Sequence, residues 1–120
     1  MTTDSPRPLR VLVVEDERDT LATTLEALHL LGHSAIGVES AEMARIRYLD
    51  GAFDVLLTDV GLPAVSGREL ADLLRERSPG LEVIFATGTP QPSGEMSPWL
   101  VKPYTLDALD AALKDVSRRL

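Results

Sequence analysis

Short apolar runs alternate along this chain with longer segments whose leucines recur every three or four residues, and a polar residue closes almost every run. Leu9 to Val14 is apolar except for Arg10, as in a strand buried on both faces. From Glu17 to Leu31, the residues Leu21, Leu25, Leu28 and Leu31 fall at helical spacing, and Gly32 stands where a left-handed C-terminal cap belongs. Ser34 to Val38 reads as a second strand. Ser40 caps a helix through Leu49 whose inner face uses Ala41, Ala44 and Leu49, and Asp50-Gly51 ends it. Phe53 to Thr58 is a third strand. Ser66 and Glu69 form a capping-box pattern ahead of Leu70, Leu73 and Leu74, so a helix starts near Gly67 and stops before Pro79-Gly80. Leu81 to Ala86 and Trp99 to Val101 supply two more strands, and Thr105 caps a last helix striped by Leu106, Leu109, Leu113 and Val116. Strands too apolar to face water, each followed by a helix, predict a parallel sheet with helices on both faces. One segment departs from this: Pro90, Pro92, Pro98 and Gly94 predict a loop or a single short turn between Gly88 and Trp99 in place of a regular helix.

Composition removes several classes of function. A length of 120 residues fits one domain with an aliphatic core. Twelve Lys and Arg against 19 Asp and Glu give a net charge of -7, and no basic stretch interleaves with aromatics, which argues against direct nucleic-acid binding. With no cysteine, disulfide, zinc-thiolate and thiol-nucleophile chemistry fall away. No apolar run is long enough for a membrane span, and Met1 to Arg10 has no apolar signal core, so a cytoplasmic protein is expected.

The strand ends carry the chemistry. Glu15-Asp16, Asp59, Thr87 and Lys102-Pro103 each follow an apolar run, and in an open parallel sheet all strand ends open at one edge. Carboxylates, a hydroxyl and an ammonium gathered there suit a hard divalent cation and a phosphoryl group. Each residue has a plainer explanation: the acids could offset a helix dipole, Asp59 could cap a turn, Thr87 could merely end a strand, and Lys102 could be solvated. Together these explanations weaken, since three acids without a cation would repel by up to several kcal/mol per close pair at an effective dielectric of about 20.

Val-Val-Glu15-Asp16-Glu, Leu-Thr-Asp59-Val-Gly-Leu-Pro63 with Gly67, Phe-Ala-Thr87-Gly and Lys102-Pro103 resemble the receiver domain of bacterial two-component response regulators. The resemblance runs from about Leu9 to Leu120, with residues 1–8 expected to be a disordered tail and 9–120 the receiver domain. It implies a flavodoxin-like doubly wound five-stranded parallel sheet, strand order 2-1-3-4-5, with helix four shortened or replaced by a loop. It further implies that Asp59 takes a phosphoryl group from a phosphohistidine on a sensor histidine kinase or histidine phosphotransfer protein. Magnesium would be held by Glu15, Asp16, Asp59 and the Gly61 carbonyl. Lys102, across a cis bond to Pro103, and Thr87 would contact the phosphoryl oxygens. Such a domain is not an enzyme beyond its own phosphorylation and dephosphorylation, and it signals to a downstream protein target as a monomer or weak dimer.

Some positions depart from that pattern. Trp99 replaces the usual Tyr or Phe three before the lysine, an aromatic that swings in receivers as the hydroxyl residue moves; the plainer alternative is a static anchor. The Phe-Ala-Thr-Gly run resembles a receiver subgroup lacking a regular fourth helix, although Glu82-Val83 and Thr89-Pro90 differ from it. Gly61 stands where a haloacid-dehalogenase phosphatase or a toprim nuclease needs a second Asp, and Glu15-Asp16 would repel a flavin phosphate. The remaining alternative is a pseudo-receiver, an interaction module that signals without phosphorylation. No output domain is expected after the last helix. As a whole gene product the chain is expected to act by docking, and as an excised segment its expected parent is a hybrid kinase.

Overall fold

The computed structural model describes residues 8–88 and 98–120. In chain order the elements are β1 (Arg10–Val14), α1 (Arg18–Leu30), β2 (Ser34–Val38), α2 (Ala41–Arg47), β3 (Val55–Asp59), α3 (Gly67–Arg77), β4 (Glu82–Thr87), β5 (Trp99–Val101) and α4 (Leu106–Ser117). The strands form one parallel sheet in the order β2-β1-β3-β4-β5. The doubly wound architecture read from the sequence is therefore the one observed. The expectations of a disordered tail over residues 1–8 and of a loop replacing helix four fall wholly or mainly on segments, 1–7 and 89–97, outside the described residues.

Strand periodicity divides the apolar residues between two layers. Val11, Val13, Val55, Leu57, Ile84 and Ala86 point to the side covered by α1 and α4, where Leu21, Leu28, Leu109 and Leu113 are buried. Leu12, Val14, Leu56, Val83 and Phe85 point to the side covered by α2 and α3, where Ala44, Leu70 and Leu74 are buried. Since β1 sends its helix to one face and β3 to the other, the chain diverges above their neighbouring C-terminal ends and leaves a crevice there.

Local signals set the boundaries. Glu17, Ser40, Ser66 and Thr105 cap the four helices through their side chains, and Ser66 and Glu69 complete the reciprocal capping box. Gly32, at φ 90°, ends α1: its N–H donates to the His29 carbonyl and that of His33 to the Leu28 carbonyl, the paired bonds of a Schellman cap. Three expected core positions differ. Helix α2 stops at Arg47, so Tyr48 turns inward and Leu49 is left exposed; the aromatic ring, stacked on Phe53, fills the space assigned to Leu49. Leu106 opens α4 at its first turn and stays exposed, and Leu73 lies at the outer edge of the α3 stripe, where Ala71 is buried beside Leu70 and Leu74.

His33 ties the start of β1 to the end of α1. Its buried Nδ1 accepts a 3.0 Å hydrogen bond from the Leu9 N–H, and burial pushes its pKa below the usual imidazole value despite the opposing charge of Asp110. Protonation would convert that acceptor into a donor. The unfolded chain binds the proton first, so this bond keeps its full value above the ordinary pKa of about 6.5 and stability falls as pH drops below it. The melting temperature is expected to fall more steeply from pH 7 to pH 5 in the wild type than in His33→Asn, whose Oδ1 can accept the same N–H. Parallel pH profiles for the two proteins would show that His33 does not control acid stability.

Candidate functional site

Each of the predicted polar residues lies at the C-terminal edge of the sheet. Glu15 and Asp16 follow β1, Asp59 is the last residue of β3, Thr87 the last of β4, and Lys102 follows β5. Oxygen atoms from Glu15, Asp16 and Asp59 come within 4.8 Å of one another. Glu15 is buried, Asp59 partly buried and Asp16 exposed, so the cluster has one wall in the protein and one in solvent. Hard carboxylate oxygens converging at a solvent-open edge are the donor set that suits magnesium, which prefers few protein ligands and retained waters.

Lys102 reaches over these acids. Its Nζ pairs with Glu15 Oε1 and lies 3.3 Å from Asp59 Oδ2. Burial pushes the Glu15 carboxyl above its usual range, against the lowering effect of the Lys102 hydrogen bond and the 3.1 Å bond from the Glu17 N–H. Burial alone would lower Lys102, but hydrogen bonding to Glu15 and the charges of Asp59 and Glu15 outweigh it, and the ammonium is held above its usual value. One cation thus serves two carboxylates. The Lys102-Pro103 peptide bond is cis. The Lys102 N–H donates to the Thr87 carbonyl at 2.8 Å, which ties the ends of β4 and β5 together and sets Thr87 beside the lysine in the backbone.

The remaining Asp59 oxygen, Oδ1, accepts from the Gly61 N–H at 3.2 Å. A Cβ at Gly61 would meet nothing within 4 Å among the described residues, and the residue is exposed. Gly67 is the reverse: a Cβ there would come within 2.2 Å of the Asp59 carbonyl oxygen, so glycine is what lets α3 start against the end of β3. Trp99 is half-buried on β5, its ring 5.2 Å from that of Phe85, and its buried Nε1 has no hydrogen-bond partner among the described residues. It stands on the edge strand of the sheet, apart from the carboxylates in sequence and in strand order.

Two features escaped the sequence reading. Tyr104 hydroxyl meets Thr24 Oγ1 at 2.7 Å and pins the turn after Lys102 to α1; no periodicity marks such a pair. Arg68 lies over both Phe85 and Trp99. A signal for it existed, since a cation in the first turn of a helix opposes the dipole and asks for another partner.

With Lys102 removed, Glu15 would keep, among the described residues, only the Glu17 amide as a hydrogen-bond donor. In chelator, Lys102→Met is expected to lose on the order of 1–3 kcal/mol of unfolding free energy, the cost of an unsatisfied buried polar group. Adding Glu15→Gln should recover most of it. Urea denaturation reads both; an unchanged midpoint in the single variant would show that the ammonium does not neutralise the buried acid.

Comparison with known proteins agrees with this arrangement. The model of the response regulator receiver domain matches residues 11–115. The chain is 34% identical over 125 residues to the virulence sensor protein BvgS of Bordetella pertussis, covering 92% of this chain and 10% of that protein. It is 35% identical over 107 residues to the response regulator protein FleR of Pseudomonas aeruginosa, covering 83% and 23%. With the transcriptional regulatory protein TcrA of Mycobacterium tuberculosis the identity is 32% over 118 residues, covering 92% and 47%. The chain therefore spans less than half the length of each of these relatives. Among solved structures, the response regulator TrrA of Thermotoga maritima in complex with Mg2+ and BeF superposes with a TM-score of 0.80 at 25% identity, over 90% of this chain and 98% of that one. The non-phosphorylated HemR receiver domain of Leptospira biflexa does so with 0.80 at 24%, over 92% and 94%. Both the family match and the convergence of acids and lysine at the sheet edge show that this chain belongs to the response regulator receiver domain family.

Proposed function

We propose that the domain accepts a phosphoryl group on Asp59 from a phosphohistidine and signals through the modified state. The observation that carries this reading is the grouping of Glu15, Asp16 and Asp59 within 4.8 Å, crossed by Lys102. A carboxylate oxygen of Asp59 attacks phosphorus while the bond from phosphorus to the imidazole nitrogen breaks, and the imidazole leaves with that electron pair. Water later attacks the acyl phosphate and releases inorganic phosphate. A carboxylate is a weak nucleophile, so the rate depends on positioning and on neutralising the three phosphoryl oxygens.

Each residue then has a task. The Gly61 N–H fixes Asp59 through Oδ1 and leaves Oδ2 on the lysine side. Lys102 would move its charge from the carboxylates to a phosphoryl oxygen, as a flexible ammonium can. The Thr87 hydroxyl would donate to another. Magnesium bound by Glu15, Asp16, Asp59 and the Gly61 carbonyl would supply further positive charge to the phosphoryl oxygens and relieve the repulsion among the acids.

This reading makes the domain a relay that catalyses only its own modification and hydrolysis. Its partners are a sensor histidine kinase or histidine phosphotransfer protein and a downstream protein target, in the cytoplasm, with the domain itself occupying residues 9–120 as a monomer or weak dimer. The relatives named as a sensor protein and a response regulator support the pairing. No helix among the described residues is long and apolar enough to cross a membrane.

Incubation with acetyl phosphate and magnesium is expected to add one phosphoryl mass to the intact wild type and none to Asp59→Asn. Unmodified protein in both samples would favour an interaction module that signals without phosphorylation. Separately, millimolar magnesium is expected to raise the melting temperature of the wild type by mass action and to do so much less for Asp16→Asn. Equal shifts in the two would place any bound cation elsewhere.

A further inference from the structure

Arg68 is the second residue of α3, directly after the glycine that packs on the Asp59 carbonyl. Its guanidinium carbon lies 5.5 Å from the centroid of Phe85 and 5.2 Å from that of Trp99, whose rings are themselves 5.2 Å apart at an interplanar angle of 39°. Phe85 is buried in β4 and Trp99 half-buried in β5, so an exposed residue of α3 holds two adjacent strands through a shared cation–π contact. The indole Nε1 is buried and has no hydrogen-bond partner among the described residues.

The start of α3 cannot stay still if the end of β3 moves. The close approach of Gly67 to the Asp59 carbonyl and the 3.1 Å bond from the Gly67 N–H to the Val60 carbonyl bind the two segments together. We infer that Arg68 is a positioning residue that couples the backbone at Asp59 to the packing of Trp99, holding the indole against Phe85 and loosening it when the Asp59–Gly67 contact is displaced. The role of Asp59 as the modified residue rests on the proposed function above. The contact between Arg68 and the rings does not.

Trp99 is the only tryptophan, so its emission reports the contact directly. In the unmodified chain, Arg68→Met, which keeps an unbranched apolar stem but removes the guanidinium, is expected to lower the population packed against Phe85 by about fivefold, the worth of one cation–π contact, seen as increased quenching by acrylamide and shifted emission. Arg68→Lys should fall between the two. Beryllofluoride with magnesium, its binding followed by fluorine NMR, should shift the emission of wild type and leave that of Arg68→Met nearly unmoved although it still binds. A full-sized response in Arg68→Met, or basal quenching equal to wild type, overturns the coupling. If beryllofluoride does not bind the wild type, it is the phosphoacceptor reading that fails, and the coupling is then decided by Gly67→Ala in the unmodified protein. That variant should shift Trp99 emission while circular dichroism shows native content, and the shift should vanish in Gly67→Ala/Arg68→Met. Should Gly67→Ala not fold, the basal Arg68→Met and Arg68→Lys series decides.

Discussion

The ammonium of Lys102 is the charge that the rest of the site depends on. A parallel sheet of order β2-β1-β3-β4-β5 brings the ends of β1 and β3 side by side, and in this chain both ends carry acids. Carboxylates so close cannot share a partly dry crevice at no cost, and Lys102, arriving from the far side of β4, offsets part of it by serving Glu15 and Asp59 at once. Its delivery is itself structural: the backbone bond from Lys102 to Thr87 and the Tyr104–Thr24 hydroxyl contact anchor the turn on both sides. The lysine's side chain is mobile in principle, while its base is held by two elements.

The division of the core into two layers explains why the site stays accessible. With α1 and α4 on one face and α2 and α3 on the other, helices cover the flat surfaces of the sheet and leave its edge to loops. The buried strand residues are aliphatic and interchangeable in chemistry, and the residues that end the strands are not. Stability and chemistry are thereby assigned to different positions of the same strands, and the apolar run of β1 can pass straight into Glu15 and Asp16 without a linker.

Legibility in the sequence followed the same division. Strands buried on both faces announce themselves as uninterrupted apolar runs, and helix starts announce themselves by Ser40, Ser66 and Thr105, whose caps the structure contains. The site residues were legible because each sits at a strand end, where a polar residue breaks an apolar run. Harder to read was which of two neighbouring residues turns inward once a helix ends: Tyr48 and Leu49 are both compatible with a core, and the choice follows from α2 ending two residues earlier, at Arg47, and from the Phe53 ring that Tyr48 stacks on. Leu73 and Leu106 lie on the right stripe but at its margin, where a helix edge or first turn meets solvent. Contacts between elements, such as Arg68 over Phe85 and Trp99, leave no periodic trace. They depend on crossing geometry that spacing within one segment does not encode.

The loop between β3 and α3 shows how the phosphoacceptor candidate is held between constraint and freedom. Leu62 is buried, the Val65 N–H bonds to the Pro63 carbonyl at 2.8 Å, and Gly67 closes the loop against Val60 and Asp59, so the exit of the loop is fixed. Ala64, at φ 68°, occupies the left-handed region without being glycine, a conformation that costs on the order of 1 kcal/mol and persists only where its surroundings impose it. At the other end, Gly61 is exposed, a side chain there would strike nothing among the described residues, and its N–H is what touches Asp59. The two glycines therefore do opposite work. Gly67 transmits position because nothing larger fits, and Gly61 leaves room above its backbone because no described residue fills the space. A group added to Asp59 would meet the open side first, and any force it placed on the backbone would pass to the closed side, where α3 begins.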